Sequence, residues 1–373
     1  MQGEIRALTG LRGWAATMVV AYHSSELVLP AGAPTAFQSH GYLWVDLFFV
    51  LSGFVMALTY ADRFADLGVR AAMPDFLLRR IARIYPLYAA VTLTYACVLA
   101  LGLAASGPYP NLGWVLVLNL LMVQGWGLAP SLSGTAWSIS TEWFAYLLFP
   151  ASLFLALRGG WGRAAMLLMP ALAVLLAMTW AADPPLAYLE TPRRGPFDLY
   201  HAASLWPLAR TVAEFSLGLL AYRVLAANWA RNVWANPMTA AVVAGAIVAL
   251  MAQPGTDLLI VPLFPLLVLT LAVGEHFLAR FFASPPLHAL GVLSYAIYML
   301  HPRTNRAITA LLARLAESTG KLGPIATPTL SFALLLAAAA AAYWGVEKPG
   351  RRLLRSLSVA APRAPRRSTG VRS

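Results

Sequence analysis

Arg12 and His23 lie in an otherwise apolar run, LTGLRGWAATMVVAYHSSELVL, where an ionisable side chain is costly. On an α-helix their eleven-position separation is three turns plus about 20°, so both project from one face, roughly 16 Å apart along the axis. An arginine in hydrocarbon costs at least about 2.5 kcal/mol even on the gentlest scale, and such residues line functional cavities and pathways. A guanidinium suits an anion, and an imidazole titrates near neutral pH. The pair predicts transfer chemistry inside a bilayer, with anion binding near one surface and proton transfer deeper in.

Further ionisable residues recur in apolar surroundings. Asp46 opens a hydrophobic helix in GYLWVDLFFVLSGF, where it either pairs with a histidine and fixes its tautomer or caps the helix. In FLLRRIARIYPLY, Arg79, Arg80 and Arg83 precede Tyr85 and Tyr88. Three arginines in five positions can bind phosphate bidentately, or anchor a span whose tyrosines sit in the interfacial belt. Glu142 enters a hydrophobic run in WSISTEWFAYLLFP, where an isolated carboxylate must find a partner or stay protonated. Arg210 and Glu214, four apart in PLARTVAEFSLGLLAYR, either neutralise one another or join a substrate-binding set. His301, before Pro302 in SYAIYMLHP, either joins that set or hydrogen-bonds backbone freed by a helix distortion. No HxxH, HExxH or CxxC spacing favours a metal, no GxSxG marks a serine hydrolase, and no Walker A loop or dinucleotide fingerprint is present.

The elements that position these residues must be membrane helices. Of 373 residues, 60% are hydrophobic and 11% charged, with a mean hydropathy of +0.67, whereas a soluble chain carries about 25% charged residues. The net charge of +12 falls mainly on arginines in short loops and the tail, where it orients spans rather than binding nucleic acid. The one cysteine, Cys97, allows no internal disulfide. Lengths suited to the hydrocarbon core predict an all-α polytopic protein. Ten spans are expected at 9–29, 43–60, 84–104, 137–157, 164–182, 207–226, 239–253, 257–273, 289–310 and 327–346. Residues 61–83 read as a charged loop. The short apolar stretch 112–125 reads as part of a re-entrant or half-buried element near 112–136, because only then do all strongly basic loops fall on one side. Both termini are then cytoplasmic, residues 1–350 form the membrane domain, and the basic segment 351–373 is a disordered tail held near anionic headgroups. The loop 183–206, with mixed charges and aromatic rings, faces outward and suits a polar acceptor.

The blocks LRGWAATMVVAYHS, GYLWVDLFFVLSGFV, RRIARIYPLY, WSISTEWFAYLLFP, RTVAEFSLGLLAYR, LGVLSYAIYMLHP and VEKPGRRLL occur in order along nearly the whole chain. In these it resembles the membrane-bound acyltransferase-3 family of bacterial O-acetyltransferases. The resemblance implies a multi-pass protein of the bacterial inner membrane that moves an acyl group, most often acetyl, from acyl-CoA to a hydroxyl of a glycan or lipid-linked saccharide, with no bound cofactor. It implies central roles for Arg12 and His23, donor binding by Arg80 and Arg83 with Tyr85 beside them, and an active-site role for Glu142. Asp46 falls on a recurrent acid of the family. A stand-alone form without a fused SGNH esterase-like domain is expected, delivering the acyl group itself or through a separate periplasmic partner. A transporter using Arg12, His23 and Glu142 as a solute or proton path is the alternative.

Overall fold

In the computed structural model, residues 4–28, 36–103, 109, 111–181, 194–198, 204–319 and 326–356 are described. Most of the 183–206 loop and residues 357–373 of the tail lie outside them. Within the described residues the protein is helical, with no strand. The helices used below are α1 (Arg6–Val28), α2 (Trp44–Ala100), α3 (Leu112–Leu120), α4 (Ala136–Leu157), α5 (Trp161–Met178), α6 (Trp206–Ala226), α7 (Pro237–Met251), α8 (Leu263–Val273), α9 (Pro285–Leu300), α10 (Arg306–Thr319), α11 (Ala326–Ala342) and α12 (Lys348–Ser356).

Among the described residues four helical stretches are long and apolar enough to cross a membrane, Ala36–Ala100, Ala136–Leu157, Trp161–Met178 and Ala326–Ser356. The remaining expected spans are helical but fall short of that criterion for two reasons. The apolar character of α1 and α6 is diluted by the ionisable residues they carry inward, whereas α7 and α9 hold only 15 and 16 residues.

Two expectations are corrected. Residues 61–83 are not a loop: α2 runs helical over 57 residues and breaks only at Gly68, whose φ of 75° is a conformation that glycine alone adopts cheaply. The charged stretch thus extends two spans into a bent helical hairpin instead of separating them with coil. Likewise, the expected disordered tail begins in helix, since α12 reaches Ser356.

The short element is as brief as expected. Nine residues of α3 rise about 14 Å, half a bilayer core, and residues 121–135 follow in turns. Irregular backbone at such depth must have its polar groups satisfied by protein. Asn119 donates to the carbonyls of Val115 and Pro130 and accepts from Leu132 N–H. Gln124 donates to Tyr88 Oη and the Ala136 carbonyl, and Ser140 Oγ accepts from Gly125 N–H while donating to the Met122 carbonyl. Ser140 therefore works for the fold.

Two glycine pairs set the helix spacing around the site. A Cβ on Gly13 would overlap the Gly291 backbone, and one on Gly291 the Thr9 backbone, so α1 and α9 touch main chain to main chain. Gly53 and Gly218 do the same for α2 and α6, against the carbonyls of Phe215 and Val50. The first pair aligns His23 with His301; the second brings Asp46 to Arg210.

Candidate functional site

The expected site residues separate into three groups along the bundle. The first surrounds a cavity of about 120 Å³. Arg12 reaches it from α1, Arg80 and Arg83 from α2, and Glu142 from α4, so four residues scattered over 130 positions converge on one space. The rest of its wall is mainly apolar, with Phe48, Phe49, Val55 and Ile139. Arg80 donates to Tyr60 Oη at 2.9 Å and lies 5.3 Å from that ring's centre, leaving its Nε buried without a hydrogen bond. Arg83 pairs with buried Glu347 and sits over the Tyr295 ring. Tyr146 Oη donates to Glu142 Oε1 at 2.7 Å and lies 3.3 Å from Ser52 Oγ. With Arg83 balanced by Glu347, Arg12 and Arg80 against Glu142 leave the cavity net cationic, and its apolar wall lowers the local dielectric, which strengthens attraction for an anion.

The second group is a histidine pair. His23 lies about 26 Å from the start of α1, near its far end, and is exposed. His301 is buried in the π-helical turn His301–Asn305 that follows α9. His23 Nδ1 is 3.0 Å from the Val19 carbonyl and 3.3 Å from His301 Nε2. His301 Nδ1 is 2.8 Å from the Tyr298 carbonyl. Carbonyls only accept, so in the neutral rings both Nδ1 atoms carry the hydrogen, and Nε2 is the basic nitrogen of His23. His301 holds that tautomer by accepting from His23. A second cavity, about 310 Å³, has Tyr22 and Ser24 in its wall, the residues flanking His23, together with Trp44, Phe332, Thr309 and Ser331. Tyr298 links the histidine pair to the first cavity: it lines that cavity, its hydroxyl is 2.7 Å from Ser138 Oγ, and its carbonyl faces His301 Nδ1.

Asp46, Arg210 and Glu214 form the third group, essentially without solvent exposure. Arg210 Nε donates to Asp46 Oδ1 at 2.8 Å, its second nitrogen pairs with Asp46 Oδ2, and Glu214 lies 3.6 Å from Nε. The guanidinium also lies 5.8 Å from the Trp137 ring centre. None of the three lines either cavity. The expected pairing of Asp46 with the first-span histidine is thus corrected, because the α2–α6 contact delivers Arg210 to it instead. Tyr85 also stands apart, 6.4 Å from the Tyr88 ring and outside both cavity walls.

Sequence reasoning passed over Tyr146 and Tyr298. Both were accessible to a helical reading, since Tyr146 is one turn beyond Glu142 and Tyr298 one turn before His301. Among the described residues no group of histidine, cysteine and carboxylate side chains is placed to hold a metal.

Comparison with known proteins adds an independent line. Residues 5–346 match the model of the family described as Acyltransferase domain. The chain is 29% identical over 381 residues to Acyltransferase MdmB of Streptomyces mycarofaciens, covering 94% of this chain and 92% of that protein. It is 26% identical over 330 residues to Peptidoglycan O-acetyltransferase OatA of Listeria monocytogenes, covering 80% of this chain and 49% of that one. No solved structure matches the chain.

Proposed function

Because the chain belongs to the acyltransferase-3 family and is therefore a membrane acyltransferase, we propose that it moves an acyl group, acetyl above all, from cytoplasmic acyl-CoA to a hydroxyl of a glycan or lipid-linked saccharide. The observation that carries this reading is the cationic, apolar-walled cavity of Arg12, Arg80, Arg83 and Glu142. Its arginines hold the phosphates of the donor at the cytoplasmic end, while the thioester reaches inward along α1 toward His23. The name of the Listeria relative supports a glycan hydroxyl as acceptor.

In this reading the acceptor hydroxyl approaches from the second cavity and gives its proton to His23 Nε2. The resulting oxygen nucleophile attacks the thioester carbonyl, the C–S bond breaks, and the thiolate leaves with a proton returned by the imidazolium. His301 is a positioning residue, since it acts through the His23 tautomer. Tyr146 holds Glu142 at the cavity wall, where its negative charge opposes Arg12.

Arg80 and Arg83 act on donor binding. Replacing either by Ala raises the apparent KM for acetyl-CoA much more than it lowers kcat, the pattern of lost uniform binding. Lys rescues only in part, since it keeps the charge without the fork. Unchanged acetyl-CoA saturation in both variants would sink the assignment and leave these residues as span anchors.

We place the chain in the bacterial inner membrane with ten spans and both termini cytoplasmic, on the distribution of arginine among the loops. A topology reporter after Arg163 and one at the C-terminus then read cytoplasmic, and one within 183–206 reads external. An external reading after Arg163 contradicts the half-buried placement of α3.

A further inference from the structure

The first cavity is elongated, and its two ends differ in chemistry. Along α2 its wall runs from Met56 back to Val45, eleven positions or about 16 Å of helix, which is also the rise from Arg12 to His23 on α1. Arg80, bonded to Tyr60 one turn beyond Met56, marks the cationic end. At the other end stand two aromatic rings from different helices, Phe48 of α2 and Tyr298 of α9. Their centres are 6.0 Å apart at an angle of 60°, which is ring-to-ring contact.

A run of ring contacts leads on from there to the base. The Tyr298 ring centre is 5.7 Å from that of His301, and His301 is 4.9 Å from His23. Neither histidine lines the cavity, whereas Phe48 and Tyr298 both do. The acyl group is the leading end of a thioester arm, so it meets these two rings before it reaches His23. They are held unequally. Tyr298 is buried, with its hydroxyl 2.7 Å from Ser138 Oγ and donating to the Thr135 carbonyl at 3.3 Å. Phe48 has no polar anchor and is half-buried, so it is the ring that yields. Each methylene added to the acyl group demands more displacement from close-packed neighbours, and one methylene misfitted in an apolar site costs about 10- to 200-fold in kcat/KM.

We propose that Phe48 and Tyr298 form the acyl-chain filter of the enzyme, a constriction between donor cavity and histidine pair that passes acetyl and holds back longer acyl groups. This rests on the acyl-CoA reading above and gives its preference for acetyl a physical cause. The two residues determine specificity and take no part in bond making. Tyr298 is the fixed side of the constriction and Phe48 the side whose size sets the limit.

The experiment sets acetyl-CoA against propionyl-CoA or butyryl-CoA in competition, the two acyl groups carrying different radioisotopes, in sealed inverted vesicles that contain the native acceptor. The isotope ratio in the saccharide fraction gives the ratio of kcat/KM values directly, and it does not change when a variant accumulates less folded protein. Wild type prefers acetyl over butyryl by at least about tenfold. Phe48→Ala and Tyr298→Ala lower that preference by about tenfold, and Phe48→Leu falls between. Phe48→Trp moves it the other way and rejects propionyl more sharply than wild type, a reversal that loosened packing alone does not produce. Should Tyr298→Ala fail to accumulate, the three Phe48 variants decide the matter. Wild type that uses butyryl-CoA as readily as acetyl-CoA overturns the filter while the donor reading stands, and so does an unchanged preference in both Phe48→Ala and Phe48→Trp. Wild type that transfers label from none of the acyl-CoAs removes the donor reading and the filter with it.

Discussion

His23→Ala is expected to lower acyl transfer by about 10²–10⁴-fold, the contribution of a general base, while the protein inserts and accumulates as before. The structure gives the two halves of that expectation separate grounds. His23 is exposed at the end of α1 rather than packed in the core, so truncating it removes little burial. Its Nδ1 faces the Val19 carbonyl and His301, which leaves Nε2 as the basic atom beside the second cavity. The measurement is initial-rate transfer of labelled acetyl, normalised to folded protein by size-exclusion chromatography in detergent. His301→Gln is expected to fall between wild type and His23→Ala, because it disturbs the tautomer and not the base. A His23→Ala variant keeping more than about a tenth of wild-type activity would rule out the general-base role.

Loss of Arg210 is expected to have the largest effect on stability. Arg210→Met leaves Asp46 and Glu214 facing each other without a cation, and both are fully buried. Breaking a buried ion pair from one side costs about 3–5 kcal/mol, so the variant should lose most of its folded yield and unfold at a lower temperature in detergent. Adding Asp46→Asn and Glu214→Gln should recover a large share, since the cost lies in unpaired charge rather than in missing volume. Full stability of Arg210→Met alone would contradict a structural role. The cluster would then have to be reopened as a substrate site.

What the sequence disclosed follows from what periodicity can carry. Arg12 is recognisable because a charge in an apolar run needs a reason, and Glu142 for the same cause. The brevity of 112–120 was legible because length against bilayer thickness is a one-dimensional argument. Partners were not. Asp46 and Arg210 are 164 positions apart, and nothing local distinguishes an acid that caps a helix from one that meets an arginine four helices further along the chain. Helical phase put Arg12 and His23 on one face, yet a shared face of a long helix spans both ends of the bundle, and only Arg12 lines the first cavity while His23 pairs with His301 near the far end of α1. The charged stretch 61–83 misled because its composition is that of a loop, while only Gly68 within it departs from helical geometry. Residues 351–356 read as tail because the helix that holds them docks through Gly350 against Pro86, a contact between distant segments.

The central claim is that acyl groups from the cytoplasmic face reach a hydroxyl acceptor through this bundle, and sided membrane vesicles test it most directly. Radiolabelled acetyl-CoA is added to sealed inverted vesicles, whose cytoplasmic face is outward, and to sealed right-side-out vesicles from the same cells. The account predicts that label enters the saccharide fraction of inverted vesicles with equimolar release of CoA, that right-side-out vesicles take up almost none, and that His23→Ala abolishes the signal. Equal labelling from either face, or labelling that persists in His23→Ala, would contradict it.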